Sequence, residues 1–237
     1  MLLTTRAIVL RTIRHGDRGV VVQAYTERSG RRAYYTRISG KAGITSAVFH
    51  PLNRLEIVVT EDPEKELHHL KEARVEVPFD HIPRDPLRGT VLLFLQELLL
   101  RTLREGPADE GLFVFLWNAC TVLDHTEHLA EFPAVLLLQY SMHLGFYPEA
   151  PRPGAEQFDL REGCFTSSAA GSGHVLPPPQ AAVIADLMKA DLLHLDRMPH
   201  SAQQRRKAVD DLLLYFRLHL DGMGELRSPK VLHQVLS

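Results

Sequence analysis

The segment Arg6-Ala7-Ile8-Val9-Leu10-Arg11-Thr12-Ile13, then Gly16-Asp17, then Val20-Val21-Val22-Gln23-Ala24-Tyr25-Thr26 decides the fold class. Both flanking runs are rich in β-branched and apolar residues, and a glycine with an aspartate breaks them apart, so the stretch reads as two strands joined by a tight turn. Working outward, Arg28-Ser29-Gly30 is a second turn, and Arg32 to Ile38 a third strand. Ser39 to Thr45 reads as a loop. Leu55 to Thr60 is a fourth apolar run, and Ala73 to Val77 a fifth, after a polar segment containing His68 and His69. Five short strands in about 75 residues fit a small closed barrel better than a sandwich, which needs more strands.

Beyond residue 80 the period changes from two to that of helices. Asp85-Pro86 is a helix start, an N-cap acceptor before proline at the first helical position. Helices are expected over Leu87 to Arg104, about Glu110 to Ala130, Pro133 to Leu144, Gln180 to Leu195 and Pro229 to Leu236. Ser201 with Gln204 forms a capping box opening another helix, which Gly222 closes. Between about 151 and 179 glycine, serine, alanine and proline dominate, so this is an inserted loop or hairpin. The fold class is therefore α+β, with a five-stranded barrel over residues 1–80 and an all-α helical domain over 81–237.

The chain has 237 residues and a net charge of −2, but the charge is segregated. Residues 1–60 carry ten cations against three anions, a net of +7, leaving −9 for the rest. A basic barrel on an acidic body suggests a polyanion-binding module. Arginines on short strands place guanidinium groups where phosphates are contacted, so the expected DNA-binding set is Arg11, Arg14, Arg18, Arg31, Arg32, Arg37 and Lys41. Tyr34 joins it as a base-stacking side chain. Because Tyr34 and Tyr35 are adjacent on a strand, one points into the barrel and the other outward. A second basic group, Arg205-Arg206-Lys207, is either an edge for a protein partner or a set of i, i+4 pairs with Asp210 and Asp211.

Signatures of catalysis are missing. Gly40-Lys41 lacks the upstream glycine and following hydroxyl of a phosphate loop, Gly171-Ser172-Gly173 lacks the third glycine of a dinucleotide site, and no serine sits in a nucleophile elbow. His125, His128 and Glu131, at i, i+3 and i+6 of an expected helix, are a conceivable metal-hydrolase cluster, the alternative being a solvated polar face. A scaffold that binds no nucleic acid is the other rival. Two cysteines, Cys120 and Cys164, are too few for a disulfide framework, and no apolar run approaches the length of a bilayer span, so a cytoplasmic protein is expected.

The order and spacing of several short motifs resemble the bacterial RecO family of recombination mediators. They are Ala7-Ile8-Val9-Leu10-Arg11 with Gly16-Asp17 and Tyr25-Thr26-Glu27, Leu70-Lys71-Glu72-Ala73, His143-Leu144-Gly145-Phe146-Tyr147-Pro148, Phe158-Asp159-Leu160-Arg161-Glu162-Gly163, Tyr215-Phe216-Arg217-Leu218-His219-Leu220, and Leu226-Arg227-Ser228 with Val231-Leu232. The resemblance implies an N-terminal OB-fold, an α-helical C-terminal domain and a non-enzymatic role. It also implies binding of single- and double-stranded DNA, annealing of complementary strands, association with RecR and with the tail of single-strand-binding protein, and help in loading RecA. Two departures stand out. Many members carry a four-cysteine zinc ribbon in the insertion, whereas here Cys164 stands alone, so no structural zinc and no other cofactor is expected. The basic loop that often follows the third strand is reduced here to Lys41 between Ser39 and Ser46, which shifts the expected DNA contacts to the strand arginines.

Overall fold

A computed structural model describes residues 1–39, 44–62, 64–167 and 173–235. Five strands, β1 (Leu2–His15), β2 (Gly19–Thr26), β3 (Gly30–Arg37), β4 (Arg54–Thr60) and β5 (Leu67–Val77), close into a barrel in the order β1-β2-β3-β5-β4. All pairs are antiparallel except β3 with β5. This is the expected OB-type barrel. The His68-His69 pair belongs to β5, which begins at Leu67 and is longer than the Ala73–Val77 run alone indicated. Ala7, Val9, Val22, Tyr34, Leu55, Ile57 and Val59 fill the interior, drawn from alternate positions as a pleated strand requires.

The change to helix falls between Val77 and α1 (Pro86–Thr102). Asp85 caps α1 by accepting from the Leu87 and Arg88 amides, with Pro86 at the position that lacks a donor. α2 (Glu110–His125) follows, and with α1 it belongs to the same compact unit as the barrel, Met1–Asp124. Arg6 lies over the rings of Phe113 and Trp117, at 5.4 and 5.1 Å, and Tyr25 stacks on Phe113 at 6.2 Å. These contacts cover the outer face of the barrel at the end where β2 meets β3.

The second unit is His125–Ser237. Its central helix is α3 (Phe132–His143), buried on every side from Phe132 to Leu138, with α4 (Pro178–Leu187) and α5 (Ala202–His219) packed on it and α6 (Ser228–Val235) meeting α5 through His233. The capping box forms as expected: Ser201 Oγ accepts from the Gln204 amide and the Gln204 side chain accepts from the Ser201 amide. In the insertion, β6 (Gln157–Asp159), β7 (Cys164–Thr166) and β8 (Val175–Leu176) make a small sheet in the order β7-β6-β8. Aromatic packing anchors it. Phe158 meets Phe165 at 5.0 Å and Tyr215 at 5.9 Å, and the Tyr215 hydroxyl donates to the Phe146 carbonyl. Gly163 turns the hairpin at φ +67°, with Tyr215 Oη 2.7 Å from where a Cβ would stand, so both backbone and space demand glycine.

Candidate nucleic-acid interface

The interface begins with a β-bulge. On β1, Val9 opposes Ala24 and Arg11 opposes Gln23, leaving Leu10 as the extra residue. The Leu10 carbonyl accepts instead from Gln96 Nε2 of α1 at 2.7 Å. Before the bulge the odd residues Ala7 and Val9 point into the barrel; after it the odd residues Arg11, Ile13 and His15 point outward. Strict alternation would have put Arg11 on the inner face with Val9.

The registers then build three outward rows. Arg11 opposes Gln23, which opposes Ala33, which opposes Leu67. Ile13, Val21, Tyr35 and His69 form the next, and His15, Gly19 and Arg37 the third. The middle of this face is Tyr35. Its ring lies against Gly19, whose hypothetical Cβ would stand 2.8 Å from Tyr35 Cε2. His15 and His69 flank it edge-on, at 5.9 and 6.1 Å between ring centroids and interplanar angles of 87° and 84°. Arg37 Nε donates to the Tyr35 hydroxyl at 3.5 Å. Ile13 and Leu67 on the same face are 39% and 43% exposed. The result is a cationic surface with an aromatic ring at its centre and apolar side chains around it, the combination that suits unpaired bases and their phosphates.

The expected DNA-binding residues divide accordingly. Arg11 and Arg37 lie on this face. Arg14 and Arg18 are exposed at the β1–β2 hairpin beside it, Arg14 opposite Val20 and so on the other face of the strand from Arg11. Arg31 and Arg32 lie at the far end of β3, roughly 20 Å along the strand from Arg37. Arg31 donates to the carbonyls of Leu100 and Leu103 in the α1 end, and Arg32 lines a cavity of about 360 Å³ with Glu61, Asp62, Glu66 and Glu105. Both arginines have work inside the unit rather than on the Tyr35 face. Lys41 lies outside the described residues.

Tyr34 requires a correction. It is the inward member of the tyrosine pair, fully buried, with its hydroxyl donating to Glu61 Oε1 at 2.6 Å and its phenol pushed upward by burial. The outward ring of the pair is its neighbour Tyr35. His15 and His69 were missed as members of the face. The signals for them were the odd positions that continue from Arg11 and Ile13, and the Leu-His-His-Leu stretch, which on a strand sends one histidine each way.

The metal-ligand reading also fails geometrically. α2 ends at His125, and Thr126 opens a turn by accepting from the His128 amide at 3.0 Å, so His125, His128 and Glu131 do not share a helix face. Glu131 is instead buried, facing Arg205 at 3.5 Å. Of the second basic group, Arg205 also donates to the His200 carbonyl, Lys207 pairs with Asp211, and Arg206 reaches the His233 carbonyl at 3.5 Å. Lys207 borders a groove of about 310 Å³ between α4 and α5, lined also by Pro179, Val183 and Ala208.

Comparison with known proteins agrees with the barrel and the helices that follow it. The family model for the recombination protein O N-terminal region matches residues 1–79, and that for its C-terminal region matches residues 83–229. The chain belongs to the RecO family. Relatives called DNA repair protein RecO include those of Flavobacterium johnsoniae, 30% identical, and Phocaeicola vulgatus, 32% identical, each aligned over 100% of both chains. The Bacteroides fragilis RecO is 33% identical over 99% of both. RecO proteins are recombination mediators and not enzymes. Among the described residues no helix is long and apolar enough to cross a membrane.

Proposed function

We propose that this RecO-family chain binds DNA through the upper outer face of its barrel, centred on Tyr35, and there captures unpaired bases. The carrying observation is Tyr35 itself, laid against Gly19 with Arg11 and Arg37 on the outward rows to either side of it. A ring stacked under a base contributes roughly 1 to 3 kcal/mol, whichever base it is, so sequence preference is small. The arginines neutralise phosphates, which makes affinity fall steeply with salt. Double-stranded DNA uses the same cations without the stacking, and binding two single strands by their backbones leaves complementary edges free to anneal.

The family's partners supply the remainder of the role: RecR, the tail of single-strand-binding protein, and RecA, which the protein helps to load, in the cytoplasm at the nucleoid. An acidic tail with an apolar end suits the groove between α4 and α5, where Val183 and Ala208 offer apolar surface and Lys207 a cation. Arg206, whose one bond among the described residues is long, lies beside it.

The test is fluorescence anisotropy with labelled single- and double-stranded oligonucleotides over a series of salt concentrations. Wild type binds both, and Tyr35→Ala loses single-strand affinity preferentially. Absence of binding by wild type at low salt overturns the reading in favour of a scaffold that touches only proteins. Lys207→Ala with Val183→Glu is expected to abolish capture of the tail peptide while leaving DNA binding intact.

A further inference from the structure

We infer that His15 and His69 are DNA contacts that operate only when protonated, so that the Tyr35 face holds single strands more tightly as pH falls. The inference rests on the reading of that face as the DNA site.

The two rings are placed symmetrically. Each stands perpendicular to Tyr35, one from β1 and one from β5, so a base lying on the tyrosine has an imidazole on either side. Facing His15 are Tyr35 and Arg37 from β3 and Gly19 from β2, with Arg14, Asp17 and Arg18 in its own hairpin. Facing His69 are Tyr35 from β3 and Thr60 from β4, with Lys71 and Glu72 next on β5. Among the described residues neither ring has an ion-pair or hydrogen-bond partner, and both residues are exposed.

Histidine is the side chain whose charge changes between about pH 5 and 8. A neutral imidazole gives a phosphate one N–H and no charge; an imidazolium gives two N–H donors and a full charge. Protonation thus adds two charged phosphate contacts beside a base already stacked.

The experiment is a titration of rhodamine-labelled oligothymidine at pH 8.0 and 5.5 over several salt concentrations, thymine being free of titrating groups in that range. Wild type is expected to bind about 10-fold more tightly at pH 5.5, with a log–log salt slope steeper by roughly 1 to 1.5 for two added contacts on a single strand. His15→Gln with His69→Gln loses both changes. His15→Lys with His69→Lys binds tightly at both pH values. A wild-type affinity and slope that are the same at the two pH values, or a Gln double variant that responds as wild type does, overturns the histidine assignment while leaving the DNA site standing. No binding at either pH overturns the site itself and the assignment with it.

Discussion

Tyr35 and Gly19 occupy one surface position between them: the tyrosine ring fills the space above the glycine that any Cβ would take, 2.8 Å from Cε2. The same hypothetical Cβ would stand 2.3 Å from the His15 carbonyl, which is backbone and does not yield as a ring does. Tyr35→Ala should therefore lower single-strand affinity by roughly 1 to 3 kcal/mol with little change in melting temperature. Gly19→Ala should lower affinity and also destabilise the hairpin by about 1 to 3 kcal/mol. Anisotropy paired with thermal unfolding separates the two, and a Tyr35→Ala variant with wild-type single-strand affinity counts against the platform.

The arginines divide by what they already hold. Arg11→Ala with Arg37→Ala is expected to flatten the salt dependence of binding by roughly 1 to 2 in slope and leave stability within about 0.5 kcal/mol, since both are exposed. Arg31→Ala removes donors from two carbonyls at the α1 end and is expected to cost about 1 to 3 kcal/mol of stability with the salt slope unchanged. Equal salt slopes for the two variants would mean that both ends of β3 meet DNA.

The sequence made the barrel legible because its strands announce themselves by β-branched runs and glycine turns, and the helices by caps such as Asp85-Pro86 and Ser201 with Gln204. The chemistry of the face was legible as a class, a surplus of arginine with tyrosine among it. Which residues share the face was not. Leu10 shifts the alternation of β1 by one, and nothing local in Val9-Leu10-Arg11 marks it, because its carbonyl is satisfied by Gln96, 86 residues away. The choice between Tyr34 and Tyr35 depended on Glu61, which reaches the buried hydroxyl from the end of β4. The end of α2 at His125 depended on the Thr126 turn and on a carboxylate, Glu131, that pairs with a distant arginine.

Arg54 is a fully buried guanidinium with one partner, Thr121, and with Nε and Nη2 bonded to nothing among the described residues. It lies over Phe79 at 5.1 Å and Trp117 at 5.9 Å, and burial pulls its pKa down. Desolvation of this charge is incompletely repaid, so Arg54→Met, which keeps the volume, should leave the unit as stable or up to a few kcal/mol more stable. Trp117→Ala, by contrast, should cost about 3 to 5 kcal/mol. Denaturant melts of the two variants decide the point, and a large loss for Arg54→Met would mean the cation–π contacts outweigh the buried N–H groups.

Two carboxylates should answer acid in opposite directions. Glu27 accepts both arms of Arg6, at 2.6 and 3.1 Å, and that hydrogen bonding holds its pKa below the ordinary carboxylate value. Its contribution is present above that ordinary value, about 4.3, and is lost as pH falls through the depressed folded one. Glu27→Gln should then cost about 1 kcal/mol at pH 7, discounted for the exposure of the pair, and progressively less as the pH is taken below the ordinary carboxylate value. Glu131 is raised instead, because burial outweighs the attraction of Arg205. The folded protein takes up that proton before the unfolded chain does, so acidification toward the raised value adds stability and neutral pH carries a cost. Glu131→Gln should accordingly melt at pH 7 no lower than wild type and show a flatter pH dependence above about pH 4.5. A melting temperature that drops by more than about 5 °C at pH 7 would show that the Arg205 ion pair, and not burial, governs Glu131.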